Sequence, residues 1–132
     1  MSGCILLAED EPDVRRVLAK TLRRSGFDVT EAEDGGRALA LFEREPHAYD
    51  LLVSDVMMPE LDGHSAFSRM QQLRPGFAAV FLSGNAPDLP RLEELRRAGS
   101  GVTQLGKPVD RAGLLGAINA LLDGRPDEDD AA

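Results

Sequence analysis

A chain of 132 residues with 42% hydrophobic and 29% charged side chains suits one globular domain with a real core and leaves no room for a second. The formal charge of -8 is unevenly spread, because the last ten residues hold Asp123, Asp127, Glu128, Asp129 and Asp130 against Arg125 and so carry -4, leaving -4 for the rest. An acidic surface of this kind disfavours direct binding to nucleic acid or insertion into an anionic membrane, and one cysteine excludes an internal disulfide.

The opening Met-Ser-Gly-Cys-Ile-Leu-Leu-Ala lacks the basic start of a signal peptide, and no later stretch approaches eighteen apolar residues, so a soluble cytoplasmic protein is expected. Cys4 to Ala8 predicts a first buried strand, with Cys4 as a small buried residue. Pro12 then opens a helix with Val14, Val17, Leu18, Thr21 and Leu22 on one face. Gly26 stops it. Phe27 to Thr30 reads as a short second strand, and Gly35-Gly36 leads into a helix with Ala38, Leu41 and Phe42 inward, ending at Glu45-Pro46. Leu51 to Ser54 is the third strand. Beyond the Pro59 to Gly63 turn, Ala66, Phe67, Met70 and Leu73 mark a third helix that ends at Pro75-Gly76. Ala78 to Leu82 is the fourth strand. Prolines and a glycine between Gly84 and Pro90 predict a short fourth helix, about Arg91 to Ala98, before a weak fifth strand from Gly101 to Leu105. Asp110 caps a last helix with Leu114, Leu115, Ile118, Leu121 and Leu122 on its apolar stripe, and Gly124-Arg125-Pro126 ends the fold.

Five strand-helix pairs with short connections predict a doubly wound parallel sheet in the order 2-1-3-4-5, because right-handed crossovers leave few alternatives. That order sets the ends of strands one and three side by side, where ligands gather in such sheets. Asp55 stands there. A lone aspartate at a strand end most often just begins a turn, but Asp55 has company in Glu9-Asp10-Glu11, in Ser83 after strand four and in Lys107-Pro108 after strand five. Carboxylates brought within a few ångströms repel, and a hard cation with oxygen ligands, magnesium rather than zinc, is the natural counter-charge. His47 and His64, at a helix end and a helix start, are set aside as metal ligands. Carboxylate, metal, ammonium and hydroxyl together suit phosphoryl transfer to an aspartate.

Ile5-Leu6-Leu7-Ala8-Glu9-Asp10-Glu11, Asp55-Val56-Met57-Met58-Pro59-Glu60-Leu61-Asp62-Gly63, Phe81-Leu82-Ser83-Gly84 and Lys107-Pro108 together resemble the receiver domain of bacterial response regulators, the CheY-like, flavodoxin-like (βα)5 fold of two-component signalling. The resemblance spans Cys4 to Leu122. It implies that Asp55 is the phosphoacceptor and that magnesium is held by Asp10, Asp55 and the backbone carbonyl of Met57, with Glu9 helping. It further implies that Ser83 and Gly84 meet the phosphoryl group, that Lys107 pairs with it and that the bond before Pro108 is cis. A histidine kinase or histidine phosphotransfer protein would be the donor, docking against the first helix. Output would pass to another protein, and chemistry would be confined to the chain's own phosphorylation and dephosphorylation. The receiver is expected over 1–124, with a disordered acidic tail over 125–132. Gly84, where many members carry alanine, looks more like receivers joined to hybrid kinases. Gln104 stands at a switch position, three before the lysine, that is often aromatic. Two alternatives share some of these residues. A haloacid-dehalogenase-like phosphatase would want a second carboxylate where Met57 stands, and a nucleotide or flavin module would want a glycine-rich first turn in place of Glu9-Asp10-Glu11.

Overall fold

In the computed structural model, which describes residues 3–123, apolar runs and amphipathic stretches alternate as five strands and five helices. The elements are β1 (Cys4–Ala8), α1 (Pro12–Arg24), β2 (Asp28–Ala32), α2 (Gly35–Arg44), β3 (Leu51–Asp55), α3 (Gly63–Leu73), β4 (Ala78–Ser83), α4 (Leu89–Arg97), β5 (Val102–Gly106) and α5 (Arg111–Asp123). The strands form one parallel sheet in the order β2-β1-β3-β4-β5. The expected acidic tail, 125–132, lies outside the described residues.

Because side chains alternate along a strand, each central strand feeds two cores. Leu6, Leu52, Ala79 and Phe81 face α2, α3 and α4 through Ala38, Phe42, Phe67, Met70, Leu92 and Leu95. Ile5, Leu7, Val53, Val80 and Leu82 face α1 and α5 through Leu18, Leu22, Leu114, Ile118 and Leu122. Burying each large apolar side chain stabilises by roughly 1.5–3 kcal/mol, so strands one, three and four are the rigid floor of whatever stands at their ends.

Several expected boundaries and faces need correction. β2 runs from Asp28 to Ala32 because it pairs residue for residue with β1, Cys4 to Asp28 through Ala8 to Ala32, and its edge position lets the polar Thr30 and Glu31 serve as strand residues. Phe27 instead packs into the core below it. α4 begins at Leu89, two residues earlier than expected: Asp88 accepts from the Arg91 N–H at 3.1 Å, and Pro90 sits in the first turn, where its missing N–H has no partner to lose. β5 is shifted by one residue, to Val102–Gly106, by its pairing with β4. Val17 is 64% exposed and Leu73 47% exposed, so neither belongs to the core. A helix turns about 100° per residue, and the face centred on Leu18, Ala19 and Leu22 carries Val17 out of the sheet's reach. Leu39, not Leu41, is fully inward on α2, and Cys4 is half-buried.

Candidate functional site

The register places four chemical groups along one edge. Ala8 pairs with Ser54, Asp55 with Leu82 and Ser83 with Gly106, so Glu9, Asp55, Ser83 and Lys107 emerge at neighbouring carboxyl ends. Backbone bonds continue the sheet a step further: the Glu9 N–H donates to Ala32 O at 3.1 Å, Val56 N–H to Leu82 O at 3.0 Å and Lys107 N–H to Ser83 O at 2.9 Å. The Lys107–Pro108 peptide bond is cis. The loop after Asp55 is pinned by Gly63 N–H to Val56 O at 2.9 Å, and it turns through Glu60, which holds a positive φ of 67°. Asp62 then caps α3 by accepting from the Ser65 N–H at 2.7 Å.

Lys107 Nζ lies 2.8 Å from Asp55 Oδ1 and 3.2 Å from Glu9 Oε1. Glu9 is fully buried and Asp55 nearly so. Burial pushes the Glu9 carboxyl above its ordinary range, and the Asp55 charge adds to this; the Glu11 N–H, which donates to Glu9 Oε2 at 3.2 Å, and Lys107 act the other way. Burial works against the Lys107 charge too, but the hydrogen bond and charge of Asp55, joined by Glu9, hold its pKa above the usual lysine value. Glu9, Asp10 and Asp55 each bring a carboxylate oxygen within 4.8 Å of the others. Like charges at such a distance repel by roughly 4 kcal/mol at an effective dielectric near 20. Three carboxylates against one ammonium leave negative charge that a small divalent cation matches, and an all-oxygen donor set with an open, solvent-facing Asp10 suits magnesium. Ser83 Oγ accepts from the Asn85 N–H at 3.0 Å, a bond the hydroxyl can give up by rotating. Gly84 is exposed, with open space where a Cβ would stand.

A family model described as the response regulator receiver domain matches residues 5–119. The chain belongs to that family. The response regulator receiver protein CpdR of Brucella abortus is 39% identical over 126 residues, spanning 89% of this chain and 95% of that protein. The transcriptional regulatory protein GlrR of Escherichia coli is 34% identical over 122 residues, which cover 90% of this chain but 26% of GlrR. The crystal structure of the receiver domain of the hybrid histidine kinase CckA matches with a TM-score of 0.76 at 36% identity, over 91% of this chain and 99% of that one. The parallel sheet in the order 2-1-3-4-5 is the receiver fold. No helix among the described residues is long and apolar enough to cross a membrane.

Several residues of this receiver do more than their sequence context suggests. The arginine pairs Arg15-Arg16, Arg23-Arg24 and Arg96-Arg97 are divided: the first of each is tied to a backbone carbonyl. Arg15 Nη1 donates to Glu9 O at 2.8 Å and its Nε lies 3.6 Å from Glu31. Arg23 reaches both Glu31, at 3.1 Å, and Val29 O, at 3.0 Å. Arg96 donates to Val102 O at 2.9 Å. Arg15 therefore braces the backbone between β1 and Asp10. His64 is buried, with its ring 4.6 Å from that of Phe81 in an edge-to-face contact. Its Nε2 and the Oε1 of Gln104 are both shut away from water.

Burial holds the His64 pKa below 6.5; Arg91 works in the same direction, and Asp62, Asp88 and the Gln104 side chain oppose it. A depressed base means that the unfolded chain binds a proton the folded one refuses, so stability is full above pH 6.5 and falls as pH drops toward the folded value. The raised Glu9 carboxyl slopes the other way, and a comparison of two variants cancels it. His64→Leu should therefore lose less stability than the parent between pH 7 and pH 5.5 in urea unfolding; identical losses would contradict the assignment.

Proposed function

We propose that this receiver takes a phosphoryl group from a histidine kinase or histidine phosphotransfer protein onto Asp55 and signals through contact with another protein. The observation that carries the reading is Lys107 Nζ bridging the Asp55 and Glu9 carboxylates at an open sheet edge. In the transfer, an Asp55 carboxylate oxygen attacks phosphorus in line, the phosphorus–nitrogen bond of the donor phosphohistidine breaks, and the leaving imidazole takes up a proton. Asp10, Asp55 and the Met57 carbonyl, assisted by Glu9, would hold magnesium, which when bound neutralises charge on the phosphoryl oxygens. Lys107 is then free to pair with the phosphoryl group. Ser83 turns its hydroxyl to the same group, with the Gly84 backbone beside it. Hydrolysis of the acyl phosphate by water resets the domain, and no further substrate is turned over.

Support for the donor's approach comes from the exposed Val17. It lines an apolar groove with Val14, Leu18, Leu82, Pro108 and Val109 that runs up to Lys107. A helix presenting a phosphohistidine could lie there with its apolar side covered. Intact-mass analysis after incubation with acetyl phosphate and magnesium should show one added phosphoryl, absent with EDTA and absent in Asp55→Asn. Equal labelling of Asp55→Asn would refute the assignment.

A further inference from the structure

The turn that carries Asp10 is fastened by few local bonds. The Glu9 N–H donates to Ala32 O at 3.1 Å, and the Glu11 N–H closes on Glu9 Oε2 at 3.2 Å. The start of α1 adds little: Glu11 gives the helix no side-chain cap among the described residues, and Pro12 has no N–H to offer. The carbonyl of the peptide joining Glu9 to Asp10 is held instead from within α1, by Arg15 Nη1 at 2.8 Å.

Arg15 is itself held. Its Nε lies 3.6 Å from Glu31 Oε1 on β2, and Glu31 Oε2 lies 3.1 Å from Arg23 Nη1, while Arg23 Nη2 donates to Val29 O at 3.0 Å. Glu31 pairs with Leu7 in the sheet register, and the next residue, Ala32, is the one that accepts from the Glu9 N–H. A guanidinium presents its donors as a flat, rigid fork, so a carboxylate on one edge orients the donor on another. The edge strand β2 therefore aims Arg15 at Glu9 O, and with its side chain 20% exposed the arginine meets little competition from water.

We propose that Arg15 is a positioning residue for the magnesium site, aimed by Glu31, and that it sets how tightly the ion binds by fixing the peptide from which Asp10 extends. This rests on the magnesium site proposed above. Glu9, Asp10 and Asp55 bring carboxylate oxygens within 4.8 Å of one another, and Asp10 is the least enclosed of the three. Repulsion from the two buried carboxylates drives Asp10 outward, and a turn free to rotate would let it go. Arg15 opposes that rotation, so less order has to be imposed when the ion binds. The charge of the arginine alone works the other way, because a cation beside a cation site repels the ion. Positioning and charge thus predict opposite effects of removing it.

The test titrates magnesium into the full chain and follows the Asp10, Val56 and Lys107 amides by nitrogen-15 NMR. In Arg15→Met, which keeps the apolar stem, the half-saturating magnesium concentration should rise roughly tenfold, the usual cost of losing a partner that orients a metal ligand. Glu31→Gln should weaken binding less, and the double variant should be no weaker than Arg15→Met alone, because Glu31 acts through Arg15. Arg23→Met, at a side chain 50% exposed, should weaken binding roughly twofold, the worth of one exposed ion pair. This variant decides the matter if Arg15→Met does not fold, since by charge alone the loss of Arg23 would also tighten binding. Unchanged or tighter binding in Arg15→Met, or in Arg23→Met where only that variant folds, overturns the role of Arg15 and leaves the magnesium site standing, and so do losses that add. If the amides of the parent chain do not respond to millimolar magnesium, the site itself fails.

Discussion

Gly63→Ala is expected to destabilise the domain by about 3 kcal/mol, at the upper end of what overpacking costs. A Cβ at this position would run into the carbonyl oxygen of Asp55 and lie 2.9 Å from Ser54 Oγ, which itself donates to that carbonyl at 2.8 Å. The obstruction is backbone, so no side chain can swing aside to relieve it. The Gly63 N–H also holds Val56 O, and the helix start and the end of β3 would have to part together. Since Asp55 sits on the strand that must move, phosphorylation should weaken along with stability. Gly84→Ala is the control: nothing lies within 4 Å of its added methyl group, and a change within about 0.5 kcal/mol is expected. Equal effects of the two substitutions in urea unfolding would mean that the close approach of α3 to Asp55 is not what fixes this loop.

Lys107→Met should lower stability by about 2 kcal/mol in the absence of divalent cation, below the 3–5 kcal/mol of a wholly buried pair because the lysine is 26% exposed. The methionine keeps an apolar stem of similar length but removes the only cation within hydrogen-bonding reach of both Glu9 and Asp55 among the described residues. Two enclosed carboxylates then face each other with no counter-charge. Millimolar magnesium should stabilise the variant more than the parent, because the ion replaces the missing ammonium as well as neutralising Asp10; binding to the folded state alone is worth about 2.7 kcal/mol at a hundredfold excess over the dissociation constant. Thermal unfolding with and without magnesium measures this. A variant as stable as the parent, with the same response to the ion, would show that Lys107 carries no part of the site's charge balance.

What the sequence made legible followed from local rules. Apolar runs of three to six residues closed by a carboxylate or a hydroxyl announced β1, β3, β4 and the edge where their ends meet, and the short connections left one plausible strand order. Asp110 was readable as a cap because a long apolar stripe follows it. Asp88 was not, since the prolines at 87 and 90 suggested a loop, although an aspartate two residues before a proline is also how a helix begins. The arginine pairs and His64 were illegible for another reason. Whether Arg15 turns toward Glu9 O, or His64 lies beneath Phe81 instead of in water, depends on which neighbour the sheet places beside it, and no local pattern records that. Val17 failed in the opposite direction: its apolar character fits the stripe of α1, while its exposure beside Lys107 fits a surface meant to be covered by something else.

The most direct test of the account is the chemical identity of the phosphorylated residue. After treatment with acetyl phosphate and magnesium, borohydride reduction converts an aspartyl phosphate to homoserine, and peptide mass spectrometry then locates it. The account predicts conversion at position 55 alone, lost when magnesium is withheld. Conversion at Asp10 instead, or a phosphoryl group that survives hydroxylamine and therefore is not an acyl phosphate, would contradict it.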